Sequence, residues 1–285
     1  LKTENYGEIS SMAVDPVEKK PLYHFKPGKR ILSVGSFGCN FTCEFCQNYS
    51  IAQFRAESEY LPPEQLAASS GSPTGNIGIA FTYNEPSVWF EYVYDTARKL
   101  KELDPDRKGV LVTNGYIGPE ALDMLLPFID AMNIDLKSIR DDYYRELCGG
   151  SVEPVQRTIE AAYGKCHVEV TTLLVNGKND TVEEVEGIAS WLAALDRDIP
   201  LHLSRYYPAY RMTRPATDEN VMVRAKKTAE KHLRYVYPGN MRDTDSSTYC
   251  PECGRLLIER RGFTARVLTD KPECPGCGEH IPIVL

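Results

Sequence analysis

The chain has 285 residues, 42% hydrophobic and 26% charged, a composition that fits an ordinary globular protein and excludes a disordered or collagen-like one. Its 33 Lys and Arg against 40 Asp and Glu leave a formal charge of −7, which argues against nucleic-acid binding, because phosphate neutralisation calls for a basic excess. No apolar run reaches the length of a bilayer span and no charged-then-apolar leader opens the chain, so a cytoplasmic protein without a membrane partner is expected.

Residues 1–30 are polar and proline-containing and read as an N-terminal arm. From 31 to 240 short apolar runs alternate with amphipathic stretches. The expected strands are Ile31–Gly35, Ile77–Thr82, Val110–Thr113, Ala131–Leu136, Val168–Leu174, Leu201–Ser204 and Arg234–Tyr237. Helices are expected around 62–69, 87–101, 119–127, 152–163, 181–195 and 218–232. Pro63 sits near a first turn, Pro119 follows Gly118, and Asp180 with Glu183 has the spacing of a capping box. Repeated strand–helix units imply parallel strands. The fold class is therefore α/β, a full or partial (β/α) barrel with its function at the carboxyl ends of the strands. An open doubly wound sheet is the competing architecture, and periodicity does not separate the two. After Pro238-Gly239-Asn240 the pattern stops, and 241–285 reads as a small module of its own.

The nine cysteines are not scattered: Cys39, Cys43 and Cys46 form one group, Cys250, Cys253, Cys274 and Cys277 a second. Clustered cysteines without a secretion signal read as metal ligands rather than disulfides. Cys148 and Cys166 read as small buried hydrophobes. The first group follows directly on the first strand. Three thiolates so close can each hold one iron of a 4Fe-4S cluster, and since such clusters take four ligands, one iron keeps an open position. A structural or electron-transfer cluster, or a zinc site, is the alternative. The second group is two copies of a Cys-x2-Cys-Gly knuckle, the donor set of a zinc ribbon, for zinc or a mononuclear iron. Between them Leu256–Glu259 and Ala265–Leu268 read as a hairpin, and metal binding is expected to supply the folding energy of so short a segment. His202 reads as a satisfied core histidine. Arg205, Tyr206 and Tyr207 end the sixth strand as candidates for a substrate pocket or for contact with a bound cofactor.

Cys39-x3-Cys43-x2-Cys46, with the aromatic Phe45 before the last cysteine, resembles the signature of the radical S-adenosylmethionine (SAM) superfamily. The resemblance implies a cluster that cleaves SAM reductively to a 5′-deoxyadenosyl radical, with a low-potential electron donor as partner. It also implies SAM-contacting positions. Glu85-Pro86 matches where relatives carry Gly-Gly-Glu-Pro, whereas the two glycines are not matched in Thr82-Tyr83-Asn84, which leaves Asn84 a side-chain contact in place of a close backbone approach; Asn-Glu-Pro also reads as a helix cap. Thr113-Asn114-Gly115 and Asp135-Leu136-Lys137 are similar to stretches of the glycyl-radical activating enzymes, whose acidic residue is replaced here by Val112. Lys137 is implied to pair with the SAM carboxylate and Asp135 to orient it or hold a cation. Asn176, in Val175-Asn176-Gly177, falls where those enzymes have a turn near the adenosine, and a turn is also its plain reading. With Phe45 and Tyr207 these complete the expected cofactor contacts.

Asp15-Pro16-Val17-Glu18-Lys19-Lys20-Pro21-Leu22-Tyr23-His24-Phe25, with Cys46-Gln47-Asn48 and the terminal knuckles, resembles the AmmeMemoRadiSam radical SAM proteins, relatives of the pyruvate formate-lyase activating enzymes. Members carry a cysteine-bearing lead segment ahead of the point where this chain begins. The subgroup implies Memo-like and AMMECR-like protein partners and leaves the substrate open. Three functions compete: a radical SAM enzyme acting on a protein or small molecule, a glycyl-radical activase, and a non-catalytic Fe-S redox or iron-sensing protein.

Overall fold

The computed structural model describes residues 2–71, 75–242 and 244–285; Leu1, 72–74 and Asp243, which opens the polar passage after residue 240, lie outside the described residues. The chain begins with β1 (Glu8–Ile9), β2 (Ser11–Pro16), β3 (Arg30–Gly35), α1 (Tyr49–Ala52), β4 (Glu59–Tyr60) and α2 (Pro63–Ser69). It continues through β5 (Asn76–Phe81), α3 (Phe90–Leu103), β6 (Lys108–Thr113), α4 (Pro119–Leu125), β7 (Ala131–Asp135), α5 (Asp141–Tyr143) and α6 (Glu153–Ala162). Then follow β8 (His167–Leu174), α7 (Val182–Leu195), β9 (Leu201–Arg205), α8 (Glu219–Ala229), β10 (Val236–Gly239), β11 (Thr248–Tyr249), β12 (Leu256–Arg261) and β13 (Thr264–Val267).

Eight strands form one sheet in the order β10-β9-β8-β7-β6-β5-β3-β2. From β3 to β10 every neighbour is parallel, and only β2 runs antiparallel, along β3. A doubly wound sheet reverses its order near the middle. Here spatial order follows sequence order throughout, so the architecture is the partial (β/α) barrel. The strands are almost continuously buried, as in Ala131–Asp135, because both sheet faces are covered. The covering helices bury one stripe each: Tyr92, Val93, Thr96, Ala97 and Leu100 of α3, and Val185, Ile188, Ala189 and Leu192 of α7.

Pro63 and Pro119 take up the first helical turn as expected. The cap of α7 is one residue later than the spacing suggested. Thr181 accepts from Glu184 N, while Asp180 accepts from Gly177 N at 2.9 Å and closes the preceding turn. The last barrel strand also lies later than Arg234–Tyr237, because the parallel partner Leu201–Ser204 aligns with Val236–Gly239.

The first thirty residues are built into the barrel. β2 supplies the antiparallel edge, and Val17, Leu22 and Phe25 enter the amino-terminal end of the barrel against Ile31, Ala80, Val110 and Ala131. Beneath them lies the fully buried Glu169 carboxylate, which accepts from Tyr23 N (3.0 Å) and His24 N (2.7 Å). It also meets the ring nitrogens of His167 (3.0 Å) and His202 (2.6 Å). Burial alone would raise Glu169, but the bonds to His167 and His202 outweigh it and hold the carboxyl well below its usual range. His202 is thereby a buried, satisfied histidine.

The C-terminal module adds a strand to the expected hairpin: β11, β12 and β13 form an antiparallel sheet. Leu257, Ile258, Ile281 and Ile283 share a core with Tyr23, Tyr235 and Tyr237. Arg260, 5% exposed, donates to Ser246 O and Thr248 Oγ1 and bonds Tyr23 O, with its guanidinium 4.4 Å from the centre of the Tyr23 ring. Val284 pairs with the arm at Phe25. Arm, barrel and module thus meet in one buried layer. No helix among the described residues is long and apolar enough to cross a membrane.

Candidate active site and metal centres

At the carboxyl end of β3 the chain turns through Gly38, whose φ of +90° suits a residue without a Cβ. The loop that follows carries the first three cysteines and is pinned along its length. Thr42 N donates to Cys148 O (2.8 Å) and Glu44 N to Leu147 O (3.0 Å), both on a π-helical turn, Tyr144–Cys148. Arg211 N donates to Glu44 O (3.0 Å), and Gln53 Nε2 to Phe41 O (2.9 Å). Phe41 is buried against Tyr116 and Tyr144.

Cys39, Cys43 and Cys46 line one cavity of about 290 Å³ at the carboxyl ends of the strands. Phe45, Asn84, Glu85, Thr113, Asn114, Asp135 and Lys137 line the same cavity. Residues some hundred positions apart converge because successive parallel strands end side by side. Asn176 and Tyr207 are not among the lining residues. Asn176 donates to Pro215 O at 3.3 Å in its turn, and Tyr207, 39% exposed, donates to Asn240 O at 3.1 Å and receives Arg205.

Most of the expected polar contacts are already partnered. Asn84 accepts from Ser36 N (2.9 Å) and donates to Phe37 O and Gly38 O (each 3.2 Å), so its carboxamide shapes the start of the cysteine loop. The buried Glu85 carboxylate caps Pro86–Trp89 through Ser87 N (3.0 Å), and it also holds Thr113 Oγ1 and Asn114 N (2.7 Å each). Lys137 pairs with Asp135 at 2.9 Å. Burial alone would lower Lys137, but Asp135 and the sulfurs of Cys43 and Cys148 outweigh it and hold the ammonium well above its ordinary value.

The thiols of this loop are all raised. Burial and the nearby Glu85 push Cys39 up to about 12, and burial lifts Cys46. The bond between the Cys43 thiol and Cys148, then burial, raises Cys43 well above its ordinary value. Ligating thiols must lose their protons, and Lys137 is the protein cation that favours this at all three. Buried thiols that resist ionisation on their own suit a site whose bound metal supplies the missing positive charge.

Sulfur spacing separates the two cysteine groups. Cys250 Sγ lies 3.5 Å from Cys277 Sγ, and Cys253 Sγ 3.5 Å from Cys274 Sγ. Four sulfurs about 2.3 Å from one ion stand about 3.8 Å apart in a tetrahedron, so the knuckles fit a single metal ion. Among the described residues they are the group of Cys, His, Asp and Glu donors within 4.8 Å of one another. The three cysteines of the first loop line one cavity without forming such a close group. Gly276 N donates to Cys274 Sγ (3.4 Å), the backbone contact of a metal knuckle.

Cys148, read as a small buried hydrophobe, is wholly buried as expected, beside Cys43. Several residues of the site escaped the sequence reading. Tyr83 lines the cavity with φ of +73°, its hydroxyl 2.8 Å from Asp15 Oδ2 and its ring 4.6 Å from the Lys20 ammonium. Its place in a motif that carries glycine in relatives was the available signal. Ser204, Thr171 and Asn240 form the opposite wall, and only their positions at or near strand ends hinted at it.

The sequence model of the radical SAM superfamily matches residues 33–192, which hold the cysteine loop and the strand ends through β8. The chain is 39% identical to an uncharacterized protein of Methanocaldococcus jannaschii, across 100% of this chain and 87% of the relative. It is 23% identical to a probable GTP 3′,8-cyclase of Methanosarcina mazei, over 92% of this chain and 81% of the relative. Among solved structures, Streptococcus suis SuiB bound to S-adenosylmethionine aligns at a TM-score of 0.59 and 15% identity, covering 79% of this chain and 53% of that one. A domain of a pyruvate-formate lyase-activating enzyme from Bacteroides vulgatus aligns at 0.50 and 20% identity, covering 57% of this chain and 99% of that one. At such identities the structural likeness speaks for the fold. With more than half of its length matched by the family's own sequence model, and the three cysteines gathered where that family works, this chain belongs to the radical SAM superfamily.

Proposed function

We propose that the protein is a radical SAM enzyme, with Cys39, Cys43 and Cys46 holding a 4Fe-4S cluster. The observation that carries this reading is the convergence of those three cysteines with Asp135 and Lys137 on one cavity at the carboxyl ends of the strands. When bound, the cluster and SAM supply a 5′-deoxyadenosyl radical for hydrogen abstraction from a protein or small-molecule substrate. The chain's own part is to bind, orient and shield. Lys137, held as an ammonium by Asp135, offers the positive charge that a carboxylate partner needs. Phe41 and Phe45, both buried, keep water from the loop, and the Tyr144–Cys148 turn holds its backbone in place. The four knuckle cysteines would hold zinc or a mononuclear iron as a structural ion, since their core is continuous with the arm and barrel.

Anaerobic reconstitution with iron and sulfide, then addition of dithionite and SAM, should release 5′-deoxyadenosine, and Cys43→Ala should abolish it. A protein loaded with the cluster that releases none would refute the enzyme in favour of a redox or iron-sensing role. A second reading, glycyl-radical activation, is favoured by Thr113-Asn114-Gly115 and Asp135-Leu136-Lys137 standing at neighbouring strand ends. It requires a glycyl radical signal on a partner enzyme. The Asp15 to Phe25 stretch supports the AmmeMemoRadiSam subgroup, with Memo-like and AMMECR-like partners and a low-potential electron donor in the cytoplasm.

A further inference from the structure

Asn114 directly follows β6, lines the cavity and is 6% exposed. Its Oδ1 accepts from Tyr116 N at 2.8 Å, and its Nδ2 donates to Asn40 Oδ1 at 2.8 Å and to Cys39 Sγ at 3.6 Å. The orientation of the amide follows from these partners. Turning it over would set a donor against Tyr116 N–H and an acceptor against the Asn40 oxygen. Asn40 is itself oriented by donating to Tyr116 O (2.7 Å) and Ser87 Oγ (3.3 Å). The main-chain N of Asn114 is fixed by Glu85 Oε2 at 2.7 Å. Both amide hydrogens are therefore committed, one to Asn40 and one to the Cys39 sulfur.

We propose that Asn114 is a positioning residue of the cluster rather than a SAM contact: its side-chain N–H donates to the Cys39 sulfur and raises the reduction potential of the bound cluster. This rests on the radical SAM reading above. Reduction adds negative charge that spreads onto the ligand sulfurs, and an N–H aimed at a sulfur stabilises the reduced state more than the oxidised one. Cys39 has a second donor, Phe41 N at 3.3 Å, which no side-chain substitution removes. Asn114 is thus the part of this pair that mutation can isolate. Glu85 acts one step further out, by holding the backbone from which the carboxamide projects.

The test uses the full reconstituted chain. In a redox titration followed by electron paramagnetic resonance, Asn114→Leu should shift the cluster to a more negative potential. The ratio of reduced to oxidised cluster at a fixed potential should fall about tenfold, equivalent to about 59 mV for one electron. SAM affinity by equilibrium dialysis should stay within about twofold of wild type. Pulsed resonance on reduced wild-type protein, labelled with ¹⁵N in asparagine side chains, should show a ¹⁵N coupling. That measurement decides the matter if the variant does not take up iron, and its absence overturns the inference. So does an unchanged potential, or a loss of SAM affinity without a shift. A wild-type chain that takes up no four-iron cluster overturns the radical SAM reading itself.

Discussion

Replacing Tyr83 by glycine sets backbone relief against side-chain contacts. Its φ of +73° costs an L-residue roughly 1–2 kcal/mol, which glycine recovers, less roughly 0.5–1 kcal/mol for glycine's greater freedom when unfolded. Against this stand three losses. The hydroxyl lies 2.8 Å from the Asp15 carboxylate, and a hydrogen bond to a charged group contributes about 2 kcal/mol. The Lys20 ammonium sits 4.6 Å from the centre of this half-covered ring, and a cation–π contact of this kind contributes about 1 kcal/mol. Burial of the half-covered ring adds about 1 kcal/mol. The contacts win by about 3 kcal/mol, or on the order of 10 °C in Tm for a chain of this size. Tyr83→Phe removes only the hydroxyl and should cost about 2 kcal/mol. Anaerobic urea titrations of wild type and both variants, followed by tyrosine fluorescence, measure the differences. Tyr83→Gly as stable as wild type would refute the reasoning, since strain would then outweigh every contact the side chain makes.

Two further outcomes follow from the lower half of the molecule. His24 is wholly buried and bonded through Nε2 to Tyr237 OH (2.7 Å), and burial pulls its pKa from 6.5 down to about 3. The unfolded chain therefore binds a proton that the folded one refuses. The stability His24 contributes is present above pH 6.5 and lost as pH falls towards 3, at about 1.4 kcal/mol per unit, or about 2 kcal/mol by pH 5. His24→Gln should flatten the stability profile between pH 6.5 and 5, and a variant with the wild-type slope there counts against a neutral buried ring. In protein whose three-cysteine loop carries no cluster, stripping the knuckles of metal with a mercurial reagent should release about one ion per chain. Residues 241–285 should then become sensitive to protease, because Leu257, Ile258, Ile281 and Ile283 lose the frame that holds them on Tyr23 and Tyr237; resistance equal to that of the loaded protein would show that this core stands without the ion.

Much of this protein is written locally. The Cys39, Cys43 and Cys46 spacing reads as a metal-binding loop because three thiols within eight positions need no long-range folding to meet. The knuckles are legible for the same reason: each Cys-x2-Cys-Gly turn makes its own geometry. Strands and helices follow from periodicity, and Pro63 and Pro119 mark helix starts, since these depend on neighbours within a turn or two. Even the misplaced cap of α7 is off by one residue, with Thr181 and Glu184 offering the same spacing as Asp180 and Glu183.

What only the tertiary structure decided is who stands beside whom. Strand order, not strand content, separates the partial barrel from the doubly wound sheet. Asp15 and Lys20 of the arm meet Tyr83 across some sixty positions, and the Glu169 carboxylate gathers Tyr23, His24, His167 and His202 at the barrel's amino end. Asn114 and Glu85 carry polar groups that a sequence assigns equally well to a ligand or to a neighbour. The choice falls to whichever partner lies within hydrogen-bonding reach, and that distance is set by the packing of strands and not by any spacing along the chain.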